Sequence, residues 1–367
     1  MRIIGSAKED LNTEKRISIT PETVKKFIEL KFSVFLEKNY GAHLGIVDEE
    51  YKNKGANFYN SAKEVLEKSE IILKVNCPSS EQINAIKNKS ILIGQFDPFS
   101  NKEIINKLIK KDNKIFSLNL LPRITRAQSM DVLSSQANLA GYRAVIESVK
   151  EFGKAIPMMM TAAGTITPAK VLVIGAGVAG LQAIATAKRL GAIVSATDVR
   201  AAAKEQVESL GGKFLSVEGA ENLETKEGYA KETSEDFKLK QKKLLSDTLK
   251  KMDIVICTAL IPGKKAPRII NEEMFKCIQA GTIIFDLAVV QGGNSAYSEI
   301  DKIVNKNGIK IIGYKNILNK LPLTATNLYS KNLYNFFFNL YDKEKKNLNI
   351  NFKDEIINKT FIQNKNT

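Results

Sequence analysis

A chain of 367 residues, 44% of them hydrophobic, is long enough to bury the cores of two domains. Its net charge of +15 comes from lysines scattered among Glu, Asp and Asn without a basic block, which points to a lysine-rich solvated surface and away from a nucleic-acid-binding tail. The charged N-terminus lacks the apolar region of a signal peptide, and no apolar run is long enough to span a bilayer. Cys77, Cys257 and Cys277 form no C-x-x-C pair, and the single histidine, His43, excludes a multi-histidine metal site. The expectation is a soluble, cytoplasmic protein with no metal, in which His43 has a loop or surface role.

In chain order, strands are expected at Arg2 to Ala7, Ser33 to Leu36, Glu70 to Val75, Ile91 to Phe96 and Lys114 to Leu118. Helices alternate with them at Pro21 to Leu30, Ala62 to Lys68, Glu81 to Lys87 and Lys102 to Lys111, with Thr20 as N-cap and Pro21 at the first helical position of the first. Such alternation implies a parallel sheet covered on both faces. Leu121 to Asp131 reads as a loop, followed by a helix from about Val132 to Phe152.

A second alternation then begins. Val171 to Ile174 is an apolar strand, Gly175, Gly177 and Gly180 follow in the spacing G-x-G-x-x-G, Val178 to Leu190 is helical, and the strand Ile193 to Thr197 ends at Asp198. Gly175 permits the turn out of the strand, Gly177 lets a pyrophosphate approach the backbone, and Gly180 lets the helix lie close to the sheet. The helix N-terminus faces the phosphates. Asp198, 18 residues after Gly180, suits the ribose hydroxyls and repels a 2′-phosphate, so NAD(H) is expected over NADP(H); Arg200 weakens that preference slightly. A helix at Ala201 to Leu210, a strand at Lys213 to Ser216, a helix at Phe237 to Lys251 and strands at Asp253 to Thr258, Thr282 to Leu287 and Ile309 to Ile312 complete six strands of a Rossmann sheet. Val217 to Glu235 is a long charged loop, the apolar residues after Leu321 form a helix docked back on the first domain, and the polar end Glu355 to Thr367 frays.

The fold class is therefore α/β, with two doubly wound parallel-sheet domains. Residues 1–133 plus 320–367 form an N-terminal flavodoxin-like domain with a C-terminal return helix, and residues 134–319 form a Rossmann dinucleotide-binding domain. For chemistry, Arg123, Arg126, Gln128, Asp131 and Ser134 could hold a carboxamide and fix a ring, or form an ion-paired surface loop; the residues alone do not choose. Thr258-Ala259-Leu260 and Asp286-Leu287-Ala288 stand at strand ends, where such sheets bind ligands.

KRISITP, LKVNCP, RITRAQSMDVLSSQANLAGYRAV, VIGAGVAGLQAI, EGYAK, TALIPGKKAP and DLAVVQGGN occur in that order. With them the chain resembles the NAD(H)-binding alpha subunit, domain I, of the proton-translocating NAD(P)+ transhydrogenases, over nearly its whole length. The resemblance implies Re/Si-specific hydride transfer between NADH here and NADP+ on a beta subunit, coupled to proton translocation by a transmembrane subunit. It implies activity only with those partners, a homodimer, and a peripheral position on the inner face of the plasma membrane. By the same resemblance Arg123, Gln128, Asp131 and Ser134 belong to the loop that positions the dihydronicotinamide ring. Arg123, Ile124, Thr125, Arg126, Val178, Asp198, Val199, Arg200, Gly228, Gln241, Ala259 and Leu260 would contact NAD(H), and the loop around Tyr229 would fold over it.

Alanine dehydrogenase shares several motifs, and the chain resembles it at Arg16 and Lys74, that family's substrate carboxylate and carbonyl contacts. That chemistry needs a group that exchanges protons with the substrate, a histidine and an aspartate at the positions that read Gln95 and Val290 here. A third possibility is a non-catalytic NAD(H) sensor subunit.

Overall fold

Local capping and β-branched runs set the first elements. In the computed structural model, which describes residues 2–217, 235–261 and 264–362, Thr20 caps the helix Pro21–Glu29: its hydroxyl accepts from the Thr23 amide, and the Thr23 hydroxyl returns the bond to the Thr20 backbone. The chain divides into two units, Met1–Gln136 with Leu318–Thr367, and Ala137–Ile317.

The first unit is built on a seven-stranded sheet in the spatial order Phe361–Ile362, Lys114–Ser117, Ile91–Gly94, Ile71–Leu73, Ile3–Ser6, Ser33–Glu37 and Ala56–Tyr59. Its neighbours are parallel except Phe361–Ile362, which runs antiparallel to Lys114–Ser117. The central strands are buried on both faces: Ile71 and Leu73 enter one apolar cluster and Ile72 the other. Numbered along the chain, the six parallel strands lie in the order 3-2-1-4-5-6, the Rossmann order, so the flavodoxin-like expectation is corrected. The cause is one edge strand. Ala56–Tyr59 is short, carries Asn57 and buries only Ala56, so it gives a weak sequence signal; without it the remaining five strands have the flavodoxin order 2-1-3-4-5.

The return helix, Pro322–Asn339, buries Tyr329, Leu333, Phe336 and Phe337. Phe337 meets Phe27 and Phe32 edge-on at 5.0 and 5.2 Å between ring centroids, a favoured aromatic geometry. The polar tail does not fray through residue 362. Asp354 caps a helix Glu355–Thr360, accepting from the Ile356 and Ile357 amides, and Ile356, Ile357 and Ile362 are buried. Three isoleucines in a polar stretch supply the burial that average polarity hides; residues 363–367 lie outside the described residues. The expected loop at Leu121 to Asp131 contains the 3-10 helix Thr125–Met130, anchored by buried Ala127 and Met130.

Three buried tyrosines make this unit sensitive to alkali. Tyr40 is hydrogen-bonded to Ser6 and Ser18 at 2.7 and 3.0 Å, and burial pushes its hydroxyl up to about 12; burial raises Tyr51 and Tyr329 further. An acid whose folded value lies above its unfolded one near 10 leaves stability intact below that value. The unfolded chain then releases its proton first, so stability falls as pH rises toward the folded value. From Tyr40 alone, about 2–3 kcal/mol should be lost between pH 10 and 12. Urea unfolding midpoints that stay flat from pH 9 to 12 would contradict this.

The second unit carries a seven-stranded sheet in the order Lys213–Phe214, Ile193–Thr197, Lys170–Ile174, Ile254–Cys257, Ile283–Asp286, Ile309–Gly313 and Lys302–Lys306. The first six are parallel and have the expected Rossmann order; Lys302–Lys306 adds an antiparallel edge. Val171 to Ile174 are all buried, as a central strand covered on both sides requires. The helix Val132–Glu151 runs from the first unit into the second. Among the described residues, no helix is long and apolar enough to cross a membrane.

Candidate dinucleotide site and positioning loop

The glycine turn follows the central strand of the second unit. Gly175 has φ +93°, and a Cβ there would stand 2.7 Å from Thr258 Oγ1, whose hydroxyl donates to the Gly175 carbonyl at 2.8 Å. Gly180 lies so near the turn that a Cβ would fall 1.9 Å from the Gly175 carbonyl oxygen. Gly177 caps the helix Val178–Arg189 with φ −74°, and a Cβ on it would meet nothing within 4 Å among the described residues. Two glycines are thus required by packing, while the third opens onto free space at a helix N-terminus, where backbone N–H groups and the helix dipole favour a phosphate. Gly141 permits a similar approach: its Cβ would sit 2.0 Å from the Ala179 carbonyl, so the long helix passes directly against the fingerprint helix.

Asp198 stands where the sequence puts it, after the strand Ile193–Thr197. Its Oδ2 accepts from the Ala176 amide at 2.7 Å, and its Oδ1 from the Arg200 amide at 2.9 Å. The Arg200 guanidinium adds two further bonds, Nε to Oδ1 and a terminal nitrogen to Oδ2, both 3.0 Å. Burial opposes the charge, but the Arg200 contacts and the Ala176 amide outweigh it and hold the carboxyl below its ordinary value. Val178 and Leu260 are exposed, and Gln241 lies half-buried on the helix Glu235–Leu249. Gly228 and Tyr229 lie outside the described residues.

The segment Thr258 to Leu260 follows the strand Ile254–Cys257 and is tied down by a residue whose partners nothing in its sequence context announces. The buried Asn294 side chain accepts from the Ala259 amide at 3.1 Å and donates to the Ala259 and Pro267 carbonyls at 2.8 and 2.9 Å. Asp286 is structural: its carboxylate accepts from the Ala288, Asn294 and Ser295 amides and the Ser298 hydroxyl, which fixes the turn through Gly292 and Gly293. An aspartate eight residues before an Asn-Ser pair is the only signal the sequence offers for this knot.

In the first unit, Asp131 and Ser134 come together. Asp131 accepts from the Ser134 amide at 2.9 Å and its hydroxyl at 2.6 Å, capping the helix Val132–Glu151. Arg123 and Gln128 are exposed. Arg126 pairs with Asp354 at 2.6 Å, outside the loop. The Ser129 carbonyl accepts from Asn332 and Asn335 of the return helix at 2.8 and 3.0 Å, and the Ser135 hydroxyl donates to Asn332 at 2.6 Å. Residues some 200 positions away therefore set the loop's conformation, and helical asparagines carry no local signal of that role. His43 is exposed and its ring meets the Lys15 carbonyl at 2.7 Å.

Arg16 and Lys74 are buried ion pairs. Arg16 makes two bonds to Glu14, at 2.8 and 2.7 Å, and donates to Gln95 and Gln136 at 3.2 and 3.1 Å. Lys74 pairs with Glu9 at 3.1 Å, and burial pushes the Glu9 carboxyl up although Lys74 pulls it down. Burial likewise raises the Cys77 thiol to about 12, which leaves it protonated and unreactive at neutral pH.

The family model for the alanine dehydrogenase/PNT N-terminal domain matches residues 5–140 and that for the C-terminal domain residues 144–367. The chain is 47% identical over 366 residues to an NAD(P) transhydrogenase subunit alpha chain of Rhodospirillum rubrum, covering 98% of this chain and 95% of that one. The chain belongs to the transhydrogenase alpha-subunit family. A transhydrogenase from Sinorhizobium meliloti superposes with a TM-score of 0.89 at 43% identity, over 99% of this chain and 98% of that chain. Alanine dehydrogenase is a more distant branch: the Methanococcus maripaludis protein is 28% identical over 306 residues, 82% of this chain and 75% of that one. An L-alanine dehydrogenase structure at 21% identity shares the fold, with a TM-score of 0.81 over 98% of this chain and 95% of that one. Homologues in the family bind NAD(H).

Proposed function

We propose that this chain is the NAD(H)-binding subunit of a proton-translocating NAD(P)+ transhydrogenase. Hydride passes directly between NADH here and NADP+ on an NADP(H)-binding beta subunit, and a transmembrane subunit couples the transfer to proton movement. The observation that carries this reading is the cradle at Gly175, Gly177 and Gly180, where, among the described residues, open space above Gly177 meets a helix N-terminus with no side-chain cap. Bound NAD(H) supplies a nicotinamide ring that donates or accepts hydride, and the chain's own groups hold and orient it.

Gly177 and the Val178 helix N-terminus receive the pyrophosphate, and Asp198, Val199 and Arg200 the adenosine ribose. Ala259, Leu260 and Gln241 line the dinucleotide. Gly228 and Tyr229 belong to the same set of contacts on family resemblance alone. Arg123 to Arg126, Gln128, Asp131 and Ser134 position the ring and exclude water. Arg126 is committed to Asp354 here, so of these its nucleotide contact has least geometric support. Direct transfer between two rings requires no proton relay, and Gln95, an amide against Arg16, cannot supply one. Ala137–Ile317 would be the nucleotide unit; the working form is a homodimer, peripheral on the inner face of the membrane through its partners.

The test mixes the purified chain with a soluble NADP(H)-binding domain and follows NADPH-dependent reduction of an NAD+ analogue in the presence of NADH. An alanine-plus-NAD+ control runs beside it. Turnover only with both proteins supports transhydrogenation. Activity with alanine alone would replace this reading by an amino-acid oxidoreductase, and NADH binding without turnover by a sensor. In the same assay Gln128→Ala should slow hydride transfer about 10–100-fold while changing NADH affinity little, because a misplaced ring loses rate before binding. Equal losses in both would refute a positioning role.

A further inference from the structure

The sequence rule assigns dinucleotide choice to the acid at the end of the second strand, yet the Asp198 carboxylate is already saturated. Four donors occupy its two oxygens: the Ala176 and Arg200 amides, and two nitrogens of the Arg200 guanidinium. A carboxylate offers about four lone-pair sites, so a ribose hydroxyl can reach Asp198 only by displacing one of these donors. The two amides are fixed by the backbone. The guanidinium sits on a rotatable side chain, 21% exposed against 8% for Asp198, and is the donor that can leave.

We propose that the Asp198–Arg200 pair, rather than Asp198 alone, sets the choice between the two dinucleotides: Arg200 is a cation suited to a 2′-phosphate that Asp198 keeps engaged. This rests on the nucleotide reading above. The guanidinium grips the carboxylate through two parallel bonds, the geometry that also fits a phosphate. With NAD(H), two ribose hydroxyls replace the departing guanidinium on Asp198, so the carboxylate stays satisfied. With a 2′-phosphate, Arg200 can neutralise the phosphate or the carboxylate but not both, and one anion is left beside the other without a neutralising cation from this pair. The barrier to NADP(H) is therefore competition for one arginine. It disappears when the acid is removed and the arginine kept.

The test measures NADH and NADPH affinity by fluorescence titration for the full chain, Asp198→Asn, Asp198→Ser, Arg200→Gln and the Asp198→Asn/Arg200→Gln double variant, with circular dichroism confirming each fold. The wild type should bind NADH and discriminate against NADPH. Both Asp198 variants should bind NADPH at least about tenfold more tightly than the wild type does, through one charged fork–phosphate contact, and bind NADH more weakly. The gain should weaken with added salt and vanish in the double variant. Wild-type NADH binding with no NADPH gain in folded Asp198→Asn or Asp198→Ser overturns the pair proposal and leaves the nucleotide site standing. A gain that survives Arg200→Gln overturns it too. Failure of the wild type to bind NADH at all instead overturns the nucleotide reading.

Discussion

Gly180→Ala should cost the second unit about 3 kcal/mol of stability and nearly all its dinucleotide affinity. The new Cβ would lie 1.9 Å from the Gly175 carbonyl oxygen, which is backbone and is held by the Thr258 hydroxyl at 2.8 Å. It cannot rotate away, so the helix Val178–Arg189 must lift from the turn, and overpacking of this kind costs about 1–3 kcal/mol or more. The informative control is Gly177→Ala. That φ is −74°, which alanine adopts freely, and its Cβ meets nothing within 4 Å. Stability should stay within about 0.5 kcal/mol of the wild type. Affinity for NADH should nevertheless fall on the order of tenfold or more, because on the proposed reading the methyl would stand where a pyrophosphate approaches the backbone. Thermal melts and NADH titrations of the two variants separate the roles. If Gly177→Ala binds NADH as tightly as the wild type, the cradle has been assigned to the wrong ligand.

Glu14→Ala should destabilise the first unit by about 3–5 kcal/mol, the usual cost of stranding one member of a buried ion pair. Glu14 and Arg16 expose 2% and 8% of their side chains, and Glu14 takes two of the guanidinium's bonds. Without Glu14, a buried cation faces the Tyr329 ring and two neutral amides. The loss belongs to the broken pair and not to any net strength of the intact one, so Glu14→Leu combined with Arg16→Met should recover most of it. Urea unfolding of the single and double variants decides this; a double variant as unstable as the single would show that the pair contributes net stability. The pair also bears on function. Arg16 donates to Gln136, whose amide donates to the Ala325 carbonyl, next to the Asp131–Ser134 cap. Loosening Arg16 should therefore loosen the start of the helix that follows the loop Leu121 to Asp131, the loop proposed above to position the ring.

Arg16 and Lys74 clarify the relation to alanine dehydrogenase. Sequence alone leaves two cations that resemble substrate contacts. In the structure each is already paired, with Glu14 and with Glu9, and Gln95 stands against Arg16 with an amide that cannot exchange a proton. Their resemblance to a substrate site is one of residue type, and their local chemistry is that of a neutralised core cluster.

Where interactions were local in the chain, the sequence determined them. The glycine turn, Asp198, the Thr20 cap and the strand–helix alternation are each encoded within a few residues to a few tens of residues. Backbone geometry and hydrophobic periodicity act over that range, and five of the parallel strands of the first sheet and all six of the second follow from them. What needed the tertiary structure is what depends on distant partners. The weakly apolar edge strand Ala56–Tyr59 gains its place from Ser33–Glu37 and turns an apparent flavodoxin order into a Rossmann one. Arg126 finds Asp354, Ser129 finds Asn332 and Asn335, and Ala259 finds Asn294, none foreshadowed by spacing. Asp198 lies between the two cases. Its position was local and legible, but its saturation by Ala176 and Arg200 was not, because two of its four donors sit on a side chain whose direction only packing fixes.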